Sequence, residues 1–301
     1  MKLSYDSLDR KGQQIFLDLA CFFLRTHVRV DVESLKCLLK DDENDYSVAF
    51  ELGRLIDKAL ITISEDNIVS MHDSLQEMAW EIVRQESTED PGSRSRLWDS
   101  DDVLKALQNG KVTEAIRSII IDLKAIEETN LMHDIFAKVS RLKFLEIEWY
   151  LDHDIEGFQF LPSELRFLYW GNYPLKSLPE NFLTEKLVIL ILIQSTMEKL
   201  WDGVKNLINL KVVSLSYSRK LVELPDFSKA SNLEALILKD CSSLTSVHSS
   251  IFSLPKLKTL DVRWCSSLQS LPELPQSLTT LDVSLCSSLQ SLPEFPSALQ
   301  L

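Results

Sequence analysis

Apolar positions change their period near residue 140. Before it they follow a helical spacing over Leu8–Phe23, with Ile15, Phe16, Leu19, Ala20 and Phe23 on one side. Val32–Leu39 and Val48–Leu60 read as two further helices, parted by the acidic turn Asp41-Asp42-Glu43-Asn44-Asp45. Ile61-Thr62-Ile63 and Ile68-Val69-Ser70-Met71 then alternate as two strands about Ser64-Glu65-Asp66-Asn67, a hairpin turn. A helix follows from Asp73 to Arg84, burying Leu75, Met78, Ala79, Ile82 and Val83, with Asp73 as its expected N-cap. Helices, a hairpin wing and a closing helix describe a winged-helix module.

After residue 140 the pattern repeats. Leu142, Leu165, Leu187, Leu210, Leu233, Leu257 and Leu278 open successive units, 23, 22, 23, 23, 24 and 21 residues apart. The later units run L-x-x-L-x-L-x-x-C: Leu233, Leu236, Leu238 and Cys241; Leu257, Leu260, Val262 and Cys265; Leu278, Leu281, Val283 and Cys286. Such a unit holds one short strand with a single buried face and cannot bury it alone. Stacking the units makes a parallel sheet and one continuous core. The Cys position falls where the chain leaves the strand, so a structural role for Cys241, Cys265 and Cys286 outweighs a metal or redox one. The Leu-Pro pairs at 178–179, 224–225, 271–272 and 292–293 suit the return side, because proline pre-sets a turn and offers no N–H. Residues between the buried leucines would face the concave side: Trp149, Tyr169, Tyr217, Lys239, Asp240, Asp261, Arg263, Trp264 and Asp282. Aromatics mixed with Arg and Asp suit a protein-binding surface. The sequence stops at Leu301, just inside the next strand position, with no polar cap in view, which reads as truncation or an exposed apolar edge.

Composition narrows the function. The 301 residues carry a net charge of −13, and Met1–Trp98 alone holds 12 Lys/Arg against 19 Asp/Glu, a net of −7. That sign opposes a phosphate backbone, so a DNA-binding winged helix stands only as the alternative and no nucleic-acid partner is expected. No apolar stretch approaches the length of a membrane helix and no signal peptide is visible, so an intracellular place is expected. Five cysteines, odd in number and without a C-x-x-C pair, argue against a disulfide framework and against zinc. Only seven glycines occur, and neither G-x-x-x-x-G-K-[ST] nor G-x-G-x-x-G is present. His72-Asp73, His133-Asp134 and His153 between two aspartates are adjacent pairs without a nucleophile, so no catalytic residue and no enzyme activity is expected.

Several segments resemble a known family. Leu3-Ser4-Tyr5-Asp6-Ser7-Leu8, Ile15-Phe16-Leu17-Asp18-Leu19-Ala20-Cys21-Phe22-Phe23, Met71-His72-Asp73 and Pro91-Gly92-Ser93-Arg94-Ser95-Arg96-Leu97-Trp98 are similar to the winged-helix part of plant Toll/interleukin-receptor-type nucleotide-binding leucine-rich-repeat disease resistance proteins. Segments 168–179 and 197–203 resemble that family's opening repeats. The resemblance implies an α+β multidomain chain: a winged-helix part of a nucleotide-binding module over 1–98, a linker and solenoid entry over 99–140, and about seven leucine-rich repeats over 141–301. These would be of the α/β type, lining a horseshoe. It also implies the regulatory and ligand-sensing portion of an intracellular immune receptor, in the cytoplasm and the nucleus. Its partners would be an effector or guarded host protein on the repeats, and a nucleotide-binding module in cis or from a paired receptor. In the family the Met-His-Asp histidine reaches the phosphates of bound ADP, which places His72 in that role with Met71 and Asp73 beside it. The phosphate loop would lie before residue 1, so ADP or ATP is a ligand of the full-length family and no cofactor is expected on these residues alone.

Overall fold

The computed structural model describes residues 2–42, 45–122, 135–148, 160–297 and 299. They form two compact units, one of residues 1–121 with 138–146 and one of 122–137 with 147–301. Among the described residues no helix is long and apolar enough to cross a membrane.

The first unit opens with helices α1 (Lys2–Asp6), α2 (Arg10–Asp18), α3 (Val32–Leu38) and α4 (Ser47–Asp57). Asp9 and Asp31 cap α2 and α3 by accepting from the amides of Gly12 and Ser34. The expected helix over 8–23 is two pieces. It continues beyond α2 as a π-turn, Leu19–Phe23, closed by Leu24 N–H donating to Leu19 O at 2.9 Å. All five residues of that turn are buried. A wholly apolar run has no polar side to reveal its period, so the extra residue per turn was not legible. It turns both Phe22 and Phe23 onto Phe144, with ring centroids 5.6 and 4.9 Å away.

The wing is β1 (Thr62–Ile63) paired antiparallel with β2 (Val69–Ser70), Thr62 opposite Ser70. Helix α5 (Asp73–Glu86) follows and buries Leu75, Ala79 and Val83. Trp80 ties it to the π-turn, its indole N–H donating to Ala20 O at 3.1 Å. Beyond it lie β3 (Arg96–Leu97), α6 (Ser100–Gln108) and β4 (Ser118–Asp122). The stretch read as a linker is therefore partly ordered structure: α6 is capped by Asp99 and buries Val103, Ala106 and Leu107, and β4 pairs in parallel with β3. Its short amphipathic period was hidden among acidic residues.

Arg96 anchors this unit. Its side chain is fully buried and its Nε donates to Asp18 Oδ1 at 2.7 Å, while Nη2 donates to the backbone and side-chain oxygens of Gln14 at 3.1 and 3.0 Å. β3 is thereby fastened to α2.

The second unit contains part of β5 (Phe144–Glu148), then β6 (Phe167–Gly171), β7 (Ile189–Ile193), β8 (Val212–Ser214), β9 (Ala235–Ile237), β10 (Thr259–Asp261) and β11 (Thr280–Asp282). From β6 to β11 each strand pairs in parallel with the next, and the second leucine of every unit meets its counterpart: Leu168, Leu190, Val213, Leu236, Leu260 and Leu281 lie in register. The unit-opening residues from Leu165 to Leu278 are fully buried, as the spacing requires.

After each strand the chain turns through one left-handed residue: Asn172, Gln194, Tyr217, Asp240, Trp264 and Leu285, with φ between 54° and 64°. From Asn172 to Trp264 the amide of that residue donates to the carbonyl just before its counterpart in the next unit, at 2.6 to 2.9 Å. The unusual backbone is thus part of the ladder. One position later Cys241, Cys265 and Cys286 donate S–H to Leu215 O, Leu238 O and Val262 O at 3.2, 3.1 and 3.0 Å. Ser218 does the same to Leu192 O at 3.2 Å. The Cys position asks for a small donor, buried at Cys241 and Cys265 and half-buried at Cys286.

Burial raises all three thiols, that of Cys265 to about 12. A thiol needs to lose its proton to react. At pH 8, native protein treated with iodoacetamide is expected to leave Cys241 and Cys265 unlabelled, and urea should expose both. Rapid native labelling of Cys265 at that pH would contradict the packing described.

Candidate functional site

The candidate residues fall on two surfaces, one in each unit. In the first, His72 joins β2 to α5. Its backbone is extended (φ −64°, ψ 141°), and Nδ1 accepts from Ser74 N–H at 3.2 Å with Ser74 Oγ 2.8 Å away. His72, and not Asp73, is therefore the N-cap. Asp73 is the first helical residue, where its charge suits the helix dipole. An imidazole nitrogen can cap as well as a carboxylate can, provided its lone pair faces the amide, and only the backbone geometry shows that it does. The same His-x-Ser arrangement recurs at His248, whose Nδ1 accepts from Ser250 N–H at 3.1 Å.

The cap has a chemical consequence. A neutral imidazole that accepts at Nδ1 carries its proton on Nε2. His72 is exposed, so that Nε2–H is turned to account as a donor only by something outside the helix end. Ser4, Lys58, Ala59, Leu60, Ser74 and Leu75 line a surface recess with it. One ammonium, one imidazole N–H and two hydroxyls suit an oxyanion. Met71 is buried beneath, and Asp73 is exposed beside it. Nothing in the sequence joined Lys58 or Ser4 to His72: they lie 14 and 68 positions from it, without a shared period.

In the second unit the candidate residues divide. Trp149 lies outside the described residues, as do His133 and His153. Tyr169 is not on an open face: it is buried, and its hydroxyl hydrogen-bonds Glu148. The reason is that β6 and β7, Phe-Leu-Tyr-Trp-Gly and Ile-Leu-Ile-Leu-Ile, are apolar on both faces, so outward residues there are buried too. Asp240 and Asp261 are likewise buried, at 9% and 8% exposure. Each is paired with a guanidinium: Arg219 Nη2 lies 2.7 Å from Asp240, and Arg263 Nη2 lies 2.6 Å from Asp261. Arg263 Nε also reaches Asp282 at 3.2 Å. Arg263 is held above the usual arginine range, first by its hydrogen bond to Asp261. Arg219, one unit before Asp240, was missed because its partner is 21 residues away in sequence.

Tyr217, Lys239 and Trp264 do come together. The Lys239 ammonium lies 5.1 Å from the Tyr217 ring centroid and 4.9 Å from that of Trp264, between two aromatic faces. Tyr217 and Trp264 stand at the left-handed turn and not within the strands. A bulky residue in that conformation costs on the order of 1–2 kcal/mol, which Asn172 in the equivalent place largely avoids. Trp264 and Leu285 are nonetheless 42% and 69% exposed. The sequence thus carries backbone strain to display large side chains to solvent.

Comparison with known proteins fits this arrangement. Residues 9–87 match the winged-helix domain of Roq1-like disease resistance proteins, and residues 186–205 match a leucine-rich repeat. The chain is 38% identical over 283 residues to the disease resistance protein RUN1 of Vitis rotundifolia, covering 85% of this chain and 21% of that protein. It is 40% identical over 280 residues to RPP2A of Arabidopsis thaliana (90% and 20%), and 39% over 269 residues to RPS6 of the same plant (85% and 23%). The chain therefore spans about a fifth of the length of the curated relatives it matches. Joining a Roq1-like winged-helix domain to leucine-rich repeats, it is a relative of the plant disease resistance proteins over most of its length.

Proposed function

We propose that this chain is the regulatory and ligand-sensing portion of an intracellular plant immune receptor, and that it acts in defence signalling by protein–protein contact. The repeats receive an effector or a guarded host protein. The winged helix touches a nucleotide held by a separate nucleotide-binding module, in cis or in a paired receptor, and no enzyme chemistry is assigned to these residues. The observation that carries the reading is the rigid parallel ladder itself, which holds Tyr217, Lys239 and Trp264 outward at fixed spacing while pairing every neighbouring Asp with an Arg. A surface of that kind is preorganised for a protein partner.

The nucleotide half rests on His72. Its Nδ1 is engaged by the helix, so its role toward a phosphate falls to Nε2–H. Two substitutions separate cap from ligand. His72→Ala removes both and is expected to cost about 0.5–2 kcal/mol of stability. His72→Asn restores a capping side chain but places no donor where Nε2 stood. In a receptor that includes this chain, His72→Asn should fold with near wild-type stability yet hold ADP at least about tenfold more weakly. Equal ADP retention by the asparagine variant would reduce His72 to a helix cap.

A further inference from the structure

Along the left-handed turns of the repeats, Arg219 and Arg263 are paired with aspartates and Lys239 is not, among the described residues. Arg219 is neutralised by Asp240, and Arg263 by Asp261 and Asp282. Lys239 lies between them in the stack and makes no ion pair among the described residues; its only partners are the faces of Tyr217 and Trp264. In a chain of net charge −13 this is an unusual placement: carboxylates are plentiful, yet none meets this ammonium. The rings hold it in position without cancelling its charge, since a ring quadrupole attracts a cation but carries no net charge. Trp264 beside it, and Leu285 at the next turn of the stack, are both well exposed and both held in a backbone conformation unfavourable to them.

We infer that Tyr217, Lys239, Trp264 and Leu285 form a strip that binds an acidic protein segment, in which one carboxylate meets the Lys239 ammonium and an adjacent aromatic or aliphatic side chain packs on Trp264 and Leu285. This rests on the reading of the repeats as a protein-binding face and names what that face recognises. Charge complementarity selects the partner. Lys239 is held between two rings with no carboxylate partner among the described residues, so the ligand brings a negative charge at that point. Asp240, Asp261 and Asp282 are already paired with Arg219 and Arg263, so a carboxylate on the ligand finds its open counter-charge at Lys239. The two rings hold the ammonium in place, so an arriving carboxylate meets a positioned charge. The neighbouring Arg–Asp pairs, already satisfied, add little attraction of their own.

The test uses the purified 301-residue chain, immobilised, and a displayed random dodecapeptide library. Wild-type protein is expected to enrich peptides with Asp or Glu next to Trp, Phe or Leu. Lys239→Glu should invert the preference toward Lys or Arg at the same place. Lys239→Met keeps a side chain for the rings to hold but removes the charge, and it should weaken a selected acidic peptide by about tenfold and abolish the salt dependence of its binding. Trp264→Ala should weaken it without changing the charge preference. Thermal unfolding of each variant checks that the solenoid stands; Trp264 is exposed and Lys239 is half-buried at the surface, so folding is expected to be retained. Selection of the same peptides by wild type and Lys239→Glu overturns the strip while leaving protein recognition elsewhere on the repeats intact. Failure of any peptide to enrich overturns both readings.

Discussion

Arg96→Ala is expected to cost about 3–5 kcal/mol, because it strands Asp18 as a buried, uncompensated carboxylate. Both side chains are essentially inaccessible, and Arg96 also satisfies the backbone and side-chain oxygens of Gln14. Arg117 stands 3.8 Å from the other Asp18 oxygen, too far to replace the lost bonds. Urea titration followed by the helical circular-dichroism band reports on the first unit, which contains α1 to α6. The control is the apolar pair Asp18→Leu with Arg96→Met. Replacing both ends of a buried ion pair by side chains of similar volume removes two desolvation penalties along with one attraction, so the double variant should regain most of the loss. A cost below about 1 kcal/mol for Arg96→Ala would mean that water reaches Asp18 and that β3 is held by packing alone.

The second large effect separates two leucines of one repeat array. Leu260→Ala should cost about 2–5 kcal/mol, and Leu285→Ala less than about 0.5 kcal/mol. Leu260 is fully buried, in register between Leu236 and Leu281, so truncation opens a cavity that neither neighbour can fill without leaving its own strand position. Leu285 is 69% exposed at a turn. Because each unit contacts chiefly its neighbours, the damage from Leu260→Ala should appear as a local weak point. Limited proteolysis is the direct readout: cleavage should concentrate within the units of β9 to β11 and spare the winged helix. Cleavage spread evenly over the chain would show that the stack does not behave as a row of nearest-neighbour units. The same pair bears on function, since Leu285→Ala leaves the solenoid intact while trimming the strip that Lys239 occupies.

The solenoid was legible because its information is local and repeated. A step of 21 to 24 residues with leucines at fixed offsets has no other way to bury them, and the observed register runs through the residues that the spacing named. The wing and α5 were legible for a similar reason: a short alternation around a polar turn, followed by a 3.6-residue period. What stayed hidden depends on separations that carry no period. Asp18 and Arg96 are 78 residues apart, and neither flank announces the other. The burial of Tyr169 follows from apolar residues on both faces of β6 and β7, so alternation alone could not say that its own side was covered. Asp240 and Asp261 looked solvent-facing by position, and it was the guanidinium groups of Arg219 and Arg263 that made burial affordable. His72 was recognised as a residue, but its use of Nδ1 as a cap, which leaves Nε2–H as its donor, is a matter of two torsion angles and one lone pair.

The order of residues by itself determined that the chain has two parts, that the second is a stack of parallel strands, and which side chains form its core, because hydrophobic burial acts through periodicity and needs no knowledge of distant partners. Only the tertiary structure decided which charges are cancelled and which is left over. Electrostatic pairing depends on distances of a few ångströms between atoms that the sequence can separate by a whole repeat, as with Arg219 and Asp240, and the left-handed turns place Tyr217 and Trp264 at either side of Lys239.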